Sequence, residues 1–279
     1  MRDVTALEAF EVGREWGAGA PLAPLILSYD RCETDENIER NLRRTMESKY
    51  QPINELLSGP HDRELSICGF GPSLRETYTK LSGDVWACNG AHNWLIEQGV
   101  IPKYAMFWDA AEVVKEFINP HPDVIYLVAS RCHEAVFETL DGFNVYVWHA
   151  AGDPGIDDLL CEYRIAEPMH GHGSAAVTTS MMLASNLGYR RMNAFGADAS
   201  FPDGEDTHAR KSVVPEEHLI IYVDGRRFNS TSWLAGQVED FKQIGALLKA
   251  QGCTIEFYGD GLLPHVARIN GFTVNTSTT

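Results

Sequence analysis

Residues 64–77 read ELSICGFGPSLRET. A strand-like apolar run ends here in two glycines, a proline and a serine, and a helix-like run follows. Glycine brings backbone close to another group because no Cβ intervenes, and Pro72-Ser73 suits the first turn of a helix. The unpaired N–H groups and positive dipole end of such a start favour an anion, so Gly69, Phe70, Gly71, Pro72 and Ser73 form a candidate cradle for a phosphate or ribose. The alternative is a tight strand-to-helix turn with no ligand. The turn is neither GxGxxG nor a Walker A loop, since no lysine follows. If the space beside Gly71 belongs to a ligand, a side chain there would weaken binding more than folding.

The same alternation repeats outward from this turn. After LSICG and SLRETYTKL come DVWACN and AHNWLIEQG, YAMFWD and AAEVVKEFI, VIYLVAS and HEAVFETL, NVYVWH and IDDLLCEY. Strand-then-helix units in series predict a Rossmann-like, doubly wound α/β fold: a mostly parallel sheet with helices on both faces. Further on, SAAVTTSMMLASNLGY predicts a helix and RMNAFGAD a strand. LIIYV-DG-RRFN predicts a hairpin turning at Asp224-Gly225. Leu234, Val238, Phe241, Gly245 and Leu248 fall on one face of a long helix closed by Gly252, and CTIEFYG supplies a last strand. Residues 1–60 lack this alternation and read as an N-terminal accessory arm or cap on a nucleotide-binding transferase domain over 61–279.

The composition narrows the ligands. The chain has 279 residues, 23 Lys plus Arg against 39 Asp plus Glu, and a formal charge of −16. Such a surface repels a polyanion, which argues against a nucleic-acid partner. The six cysteines form no CxxC pair and fall mostly in apolar runs, as reduced thiols in a cytoplasmic protein do. Charged residues interrupt the N-terminal stretch where a secretion signal would be apolar, and Ser174–Tyr189 is too short for a span of about 20 residues. A soluble protein with no membrane span is expected.

A doubly wound sheet places its ligand at the carboxyl ends of its strands. The residues there are the Gly69–Ser73 turn, Asn89, Asp109, His149 and Asp198. Gly173 and Ser174, in MHGHGSAAVTTS, open a second helix able to receive an anion, so the two starts could hold two ends of one nucleotide or a donor and an acceptor. His170 and His172 stand two apart in a loop, a weak metal pattern that fits a cleft border better. Asp109 and Asp198 are the carboxylates expected to hold Mg²⁺ together with substrate phosphates. The loop after Asp198, FPDGEDTHA, adds Asp203, Glu205, Asp206 and His208.

In this order the motifs resemble the family of the archaeal 6-hydroxymethylpterin diphosphokinases and its bacterial and phage members: CGFGPSL, VWACNGAHNWLIEQGVIPKYAMFWD, and GSAAVTTSMMLASNLGYRRMNAFGADASFPDGEDTHA. The resemblance covers residues 65 to 210. It implies a transferase that passes a pyrophosphoryl group from Mg²⁺-ATP to a small hydroxyl-bearing acceptor. Gly69, Gly71 and Ser73 would then cradle the nucleotide and Asn89 hold its ribose, with Asp109 and Asp198 on the metal. Asp198 and His208 would stand nearest the chemistry. A more distant resemblance, to bacterial CMP-sialic-acid-dependent sialyltransferases, implies nucleotide contacts at Gly69, Gly71, Ser73 and Asn89. Here the Asn of that family's GNG turn is Phe70, and its catalytic His has no counterpart in RRFNSTSW. A nucleotide-sugar glycosyltransferase and a non-catalytic nucleotide-binding protein are the alternatives.

Overall fold

A computed structural model of the chain describes residues 15–16, 33–203, 209 and 218–276. In chain order its first elements are β1 (Glu15–Trp16), α1 (Asp35–Glu47) and β2 (Gln51–Pro52). The repeating units follow: β3 (His61–Cys68), α2 (Leu74–Thr77), β4 (Asp84–Cys88), α3 (Ala91–Glu97), β5 (Tyr104–Phe107), β6 (Ile125–Ala129), α4 (Glu134–Thr139), β7 (Asn144–Ala150) and α5 (Ile156–Glu162). Then come β8 (Met169–His170), α6 (Ala176–Asn186), β9 (Tyr189–Phe195), β10 (His218–Val223), β11 (Arg226–Thr231), α7 (Ser232–Ala250), β12 (Thr254–Tyr258), α8 (Leu262–Ile269) and β13 (Thr273–Asn275).

The central sheet runs β13-β12-β9-β3-β4-β5-β6-β7-β2, with β8 also beside β7, and all its pairs are parallel. From β3 the chain winds outward through β4 to β7. It then returns through α6 to β9, on the other side of β3. The gap between the carboxyl ends of β3 and β9 is therefore the topological switch point. The hairpin of β10 and β11 forms a separate small sheet with β1, turning at Asp224 (φ +49°) and Gly225 (φ +73°). Both positive φ values match the two-residue hairpin turn read from Asp-Gly.

Side-chain alternation along β3 divides two cores. Leu65 and Ile67 join the one containing Val177 and Met181 of α6 and Val238 and Phe241 of α7, whereas Cys68 joins Leu74, Ala91, Trp94 and Leu95 of α2 and α3. Helix α6 buries Val177, Met181 and Leu183 together with its small residues against β9, β3, β4 and β5. There Ser180 Oγ accepts the Trp86 indole N–H at 2.8 Å, deep in the core.

The run AAEVVKEFI forms a 3₁₀ segment, Glu112–Phe117, in place of an α-helix. Pro120 lies just beyond, and two β-branched valines make so short a run a poor α-helix. α8 and β13 were not anticipated after CTIEFYG. In the arm read over residues 1–60, β2 pairs with β7 of the central sheet, and α1 buries Ile38, Leu42 and Met46 against Ile156, Leu159 and Leu160 of α5. Through α1 and β2 this segment is continuous with the sheet's body, while β1 pairs with β10 of the small sheet.

Replacing Ser180 with Ala strips the Trp86 indole of its buried acceptor. We expect a stability loss of about 1–3 kcal/mol, read by urea denaturation; an unchanged midpoint would contradict the packing described.

Candidate functional site

At the switch point the two strands continue their pairing past their ends. Gly69 N–H donates to the Phe195 carbonyl and Gly71 N–H to the Gly196 carbonyl, each at 2.8 Å. This close passage explains both glycines. A Cβ on Gly69 would stand 2.6 Å from the Gly196 oxygen and 2.8 Å from Val177. A Cβ on Gly71 would overlap the Asp198 carboxylate and stand 2.7 Å from the Gly196 oxygen. The space expected to receive a ligand is filled by the protein. Phe70 turns its ring onto Gly90, at the entrance of α3, and its carbonyl accepts the Ala209 N–H at 2.8 Å.

Asp198 is the group that closes this turn. Its Oδ2 accepts the Ser73 N–H at 2.9 Å, and the residue is 4 % exposed. Gly259 and Gly261, between β12 and α8, press against it, and its backbone carbonyl accepts the Leu263 N–H at 3.0 Å. Burial pushes its carboxyl up to about 6, against the lowering effect of the Ser73 hydroxyl and amide. The following Ala199 is held at φ +50°, an unusual conformation for alanine, with Ser230 Oγ on its carbonyl at 2.8 Å.

The second helix start is closed in the same manner. Ser174 N–H donates to Asp240 of α7, and a Cβ on Gly173 would overlap the Thr178 hydroxyl. Both amides expected to meet a nucleotide are therefore bonded to carboxylates of the chain. Asp240 had no sequence signal beyond its place on the polar side of a long helix.

The open chemistry lies further along the sheet. Asn89 follows β4 in the left-handed region (φ +44°), and its Nδ2 donates to Asp109 Oδ2 at 2.8 Å. Its Oδ1 is buried with no partner. Asp109, after β5, is raised above the usual carboxylate range, chiefly by burial, although the Asn89 hydrogen bond and the Arg131 charge both act to lower it. Arg131, after β6, donates to Asp153 Oδ1 at 2.8 Å, and its guanidinium stands 5.2 Å from the Trp108 ring centre. His172 packs on the other residues of this group through Trp108, at 4.9 Å between ring centres, with both ring nitrogens facing carbonyls. Helix α1 ties the loops together: Asn41 Nδ2 donates to the carbonyls of Ala110 (3.2 Å) and Arg131 (3.0 Å), and Thr45 Oγ1 to that of Ser130 (2.9 Å).

Asp109 and Asp198 are not brought together. They follow β5 and β9, three positions apart in the sheet, or roughly 14 Å at ordinary strand spacing. Asp198 is also sealed by its own turn, so the pair does not fit a shared Mg²⁺. Among the described residues no group of three His, Cys, Asp or Glu side chains could hold a metal. Asp109 alone fits the one-carboxylate arrangement that Mg²⁺ adopts with substrate phosphates. His170 and His172 do not pair: His170 Nδ1 meets Asn186 at 2.9 Å, away from the carbonyls that His172 faces. His149 is buried, bonded to Ser130 Oγ at 2.9 Å and 3.3 Å from Glu167, and burial lowers it to about 4. Glu205, Asp206 and His208 lie outside the described residues.

Residues 36–204 match the family described as 6-hydroxymethylpterin diphosphokinase MptE-like. The chain belongs to this family. The matched span takes in α1 with Asn41 as well as Asn89, Asp109, Arg131 and Asp198, and leaves out Asp240. Among solved structures the chain is similar to the MAf glycosyltransferase from Magnetospirillum magneticum AMB-1, at 15% identity and a TM-score of 0.61. That match covers 87% of this chain but only 38% of the other, so the similarity is one of fold. A mammalian sialyltransferase aligns over 83% of this chain and 82% of its own at 13% identity, with a TM-score of 0.39. A search of curated proteins finds no match. The family and the glycosyltransferase alike carry the names of transferases.

Two outcomes test the closed turn. Gly71→Ala should cost about 1–3 kcal/mol by overpacking, measured by chemical denaturation; a variant as stable as the parent would reopen the turn to a ligand. Asp198, raised in the folded state, favours the native state most below the unfolded carboxylate range near pH 4, and that contribution is lost as pH rises through about 6. The stability of Asp198→Asn relative to wild type should therefore climb by about 3 kcal/mol between pH 4 and pH 7 and stay level above. A difference independent of pH would refute the buried carboxylate.

Proposed function

We propose that this chain is a nucleotide-dependent transferase that passes a pyrophosphoryl group from Mg²⁺-ATP to a small hydroxyl-bearing acceptor. The observation that carries the reading is Asn89, whose buried Oδ1 lacks a donor while its Nδ2 is fixed on Asp109. A buried acceptor without a partner is costly, and a ribose or acceptor hydroxyl would satisfy it. Its strained backbone is of a kind found at ligand sites. Membership of a family described as 6-hydroxymethylpterin diphosphokinase MptE-like supports this reaction class.

In this reading Asn89 orients a hydroxyl of the ligand and Asp109 stands beside it as the carboxylate for Mg²⁺. Bound there with the ligand's phosphates, the ion would neutralise charge that develops during transfer. The Gly69–Ser73 turn gives the site its shape by fixing the end of β3 and, through Phe70, the entrance of α3. Asp198 holds that turn from beneath.

Transfer from a nucleotide sugar is a second reading, favoured by the extent of the fold match to a protein described as a glycosyltransferase. That chemistry calls for a general base near the acceptor. Where the sialyltransferase resemblance would put one, the polar side chains are already engaged. Asn229 bonds Asp203 and the Phe201 carbonyl, Ser230 bonds the Ala199 carbonyl, and Thr231 caps α7 at the Leu234 N–H.

Calorimetry with ATP, CTP and CMP, each with and without Mg²⁺, separates the readings. We expect Mg²⁺-dependent ATP binding, weakened about tenfold, or roughly 1.4 kcal/mol, by Asn89→Ala, and a reduced response to Mg²⁺ in Asp109→Asn. Mg²⁺-independent binding of CMP with none of ATP would replace this reading with the nucleotide-sugar one.

A further inference from the structure

With Ser73 N–H held by Asp198 and Ser174 N–H by Asp240, neither expected backbone cradle offers these amides to a phosphate. At the ends of β4 to β7 a cationic side chain is the strongest donor an anion could meet. Among the described residues, Arg131 is the one permanent cation in the loops that directly follow these strands.

Its setting is that of a prepared donor. The guanidinium is aligned over Trp108 at 5.2 Å, and the backbone carbonyl of the same residue is pinned by Asn41 at 3.0 Å. The side chain is only 13% exposed. A guanidinium carries five N–H donors in a rigid fork that matches phosphate oxygens. Asp153 takes one donor at 2.8 Å, and Nε is buried with no acceptor. Donors fixed in a mostly dry setting bind an anion more strongly than donors in water.

We propose that Arg131 is the anion-recognition residue of this site, receiving a phosphate group of the ligand, and that Asp153 is its internal competitor. The proposal rests on the nucleotide reading above and adds the group that recognises the phosphates. The Arg131 charge already acts on Asp109, so the ligand's phosphates, Asp109 and Asn89 would form one contiguous polar site.

Titration calorimetry of the full chain with Mg²⁺-ATP tests this with two substitutions of opposite expected sign. Arg131→Lys keeps the charge but loses the fork, and should weaken binding at least tenfold. Asp153→Asn removes the competing carboxylate and should tighten binding severalfold. Thermal melting without ligand monitors the fold of each variant. If wild type binds and Arg131→Lys binds as tightly, this inference fails while the nucleotide reading stands. Weaker binding by a folded Asp153→Asn would assign the pair a purely structural role and overturn the inference as well. Absence of Mg²⁺-ATP binding by wild type would overturn both.

Discussion

The hydrogen bond from Ser73 N–H to the Asp198 carboxylate is the constraint from which the site's layout follows. It joins the turn after β3 to the loop after β9 across the switch point, and the β12–α8 turn closes over it through Gly259 and Gly261. Three crossovers that are distant in sequence therefore meet at one carboxyl group. An ionised carboxylate sealed this well is costly, and the Ser73 amide and hydroxyl offset only part of that cost, which is why the group stays shifted upward. The same enclosure holds Ala199 in its left-handed conformation.

In the proposed reading the ligand's polar partners stand beyond that turn. In an open α/β sheet the crevice at the switch point is the expected binding place, yet here the backbone donors on both sides of it are satisfied internally. Buried side-chain groups with unmet hydrogen-bonding capacity include the Ser174 hydroxyl at the second helix start as well as Asn89 and Arg131, at the ends of β4 and β6. Asn89 and Arg131 follow the carboxyl ends of their strands, and the Arg131 loop lies beside α1. Asn41 and Thr45 reach from that helix to the carbonyls that follow β5 and β6, so the loops bearing Asp109 and Arg131 are braced by a segment that precedes the first repeating unit.

Much of this fold was legible in the sequence because a buried parallel strand needs a continuous apolar run, and VIYLVAS or YAMFWD can do little else. Asp224-Gly225 was legible because only a few residue pairs tolerate two positive φ values. The roles of Gly69 and Gly71 were not: a glycine reports that something lies close, and sequence does not say whether it is a ligand or the Asp198 carboxylate. Asn89 and Asp109 were readable as strand-end polar residues, and the structure adds that they bond each other. Arg131 was missed, since a lone arginine after VIYLVAS looks like a solvated loop residue. Its burial depends on Trp108, Asn41 and Asp153, three residues from three other segments. Asn41 was hidden inside a polar run whose buried face only the packing on α5 reveals.

The charge of the whole chain bears on which ligand form such a site can take. A formal charge of −16 sets up a field that opposes any phosphorylated ligand at long range. At physiological ionic strength that opposition decays within about 8 Å, while contacts inside a partly buried site are screened far less. Recognition of the proposed phosphorylated ligand would then be short-ranged and directional, which a guanidinium held against an aromatic ring could supply. Arg131 acts on Asp109 and bonds Asp153, and the three side chains together carry a net negative charge when both carboxylates are ionised. A bare triphosphate would add repulsion to that arrangement. In the proposed reading, a triphosphate already neutralised in part by Mg²⁺ would bring its own counter-charge to Asp109, so the electrostatics of the strand ends would favour the metal complex over the free nucleotide.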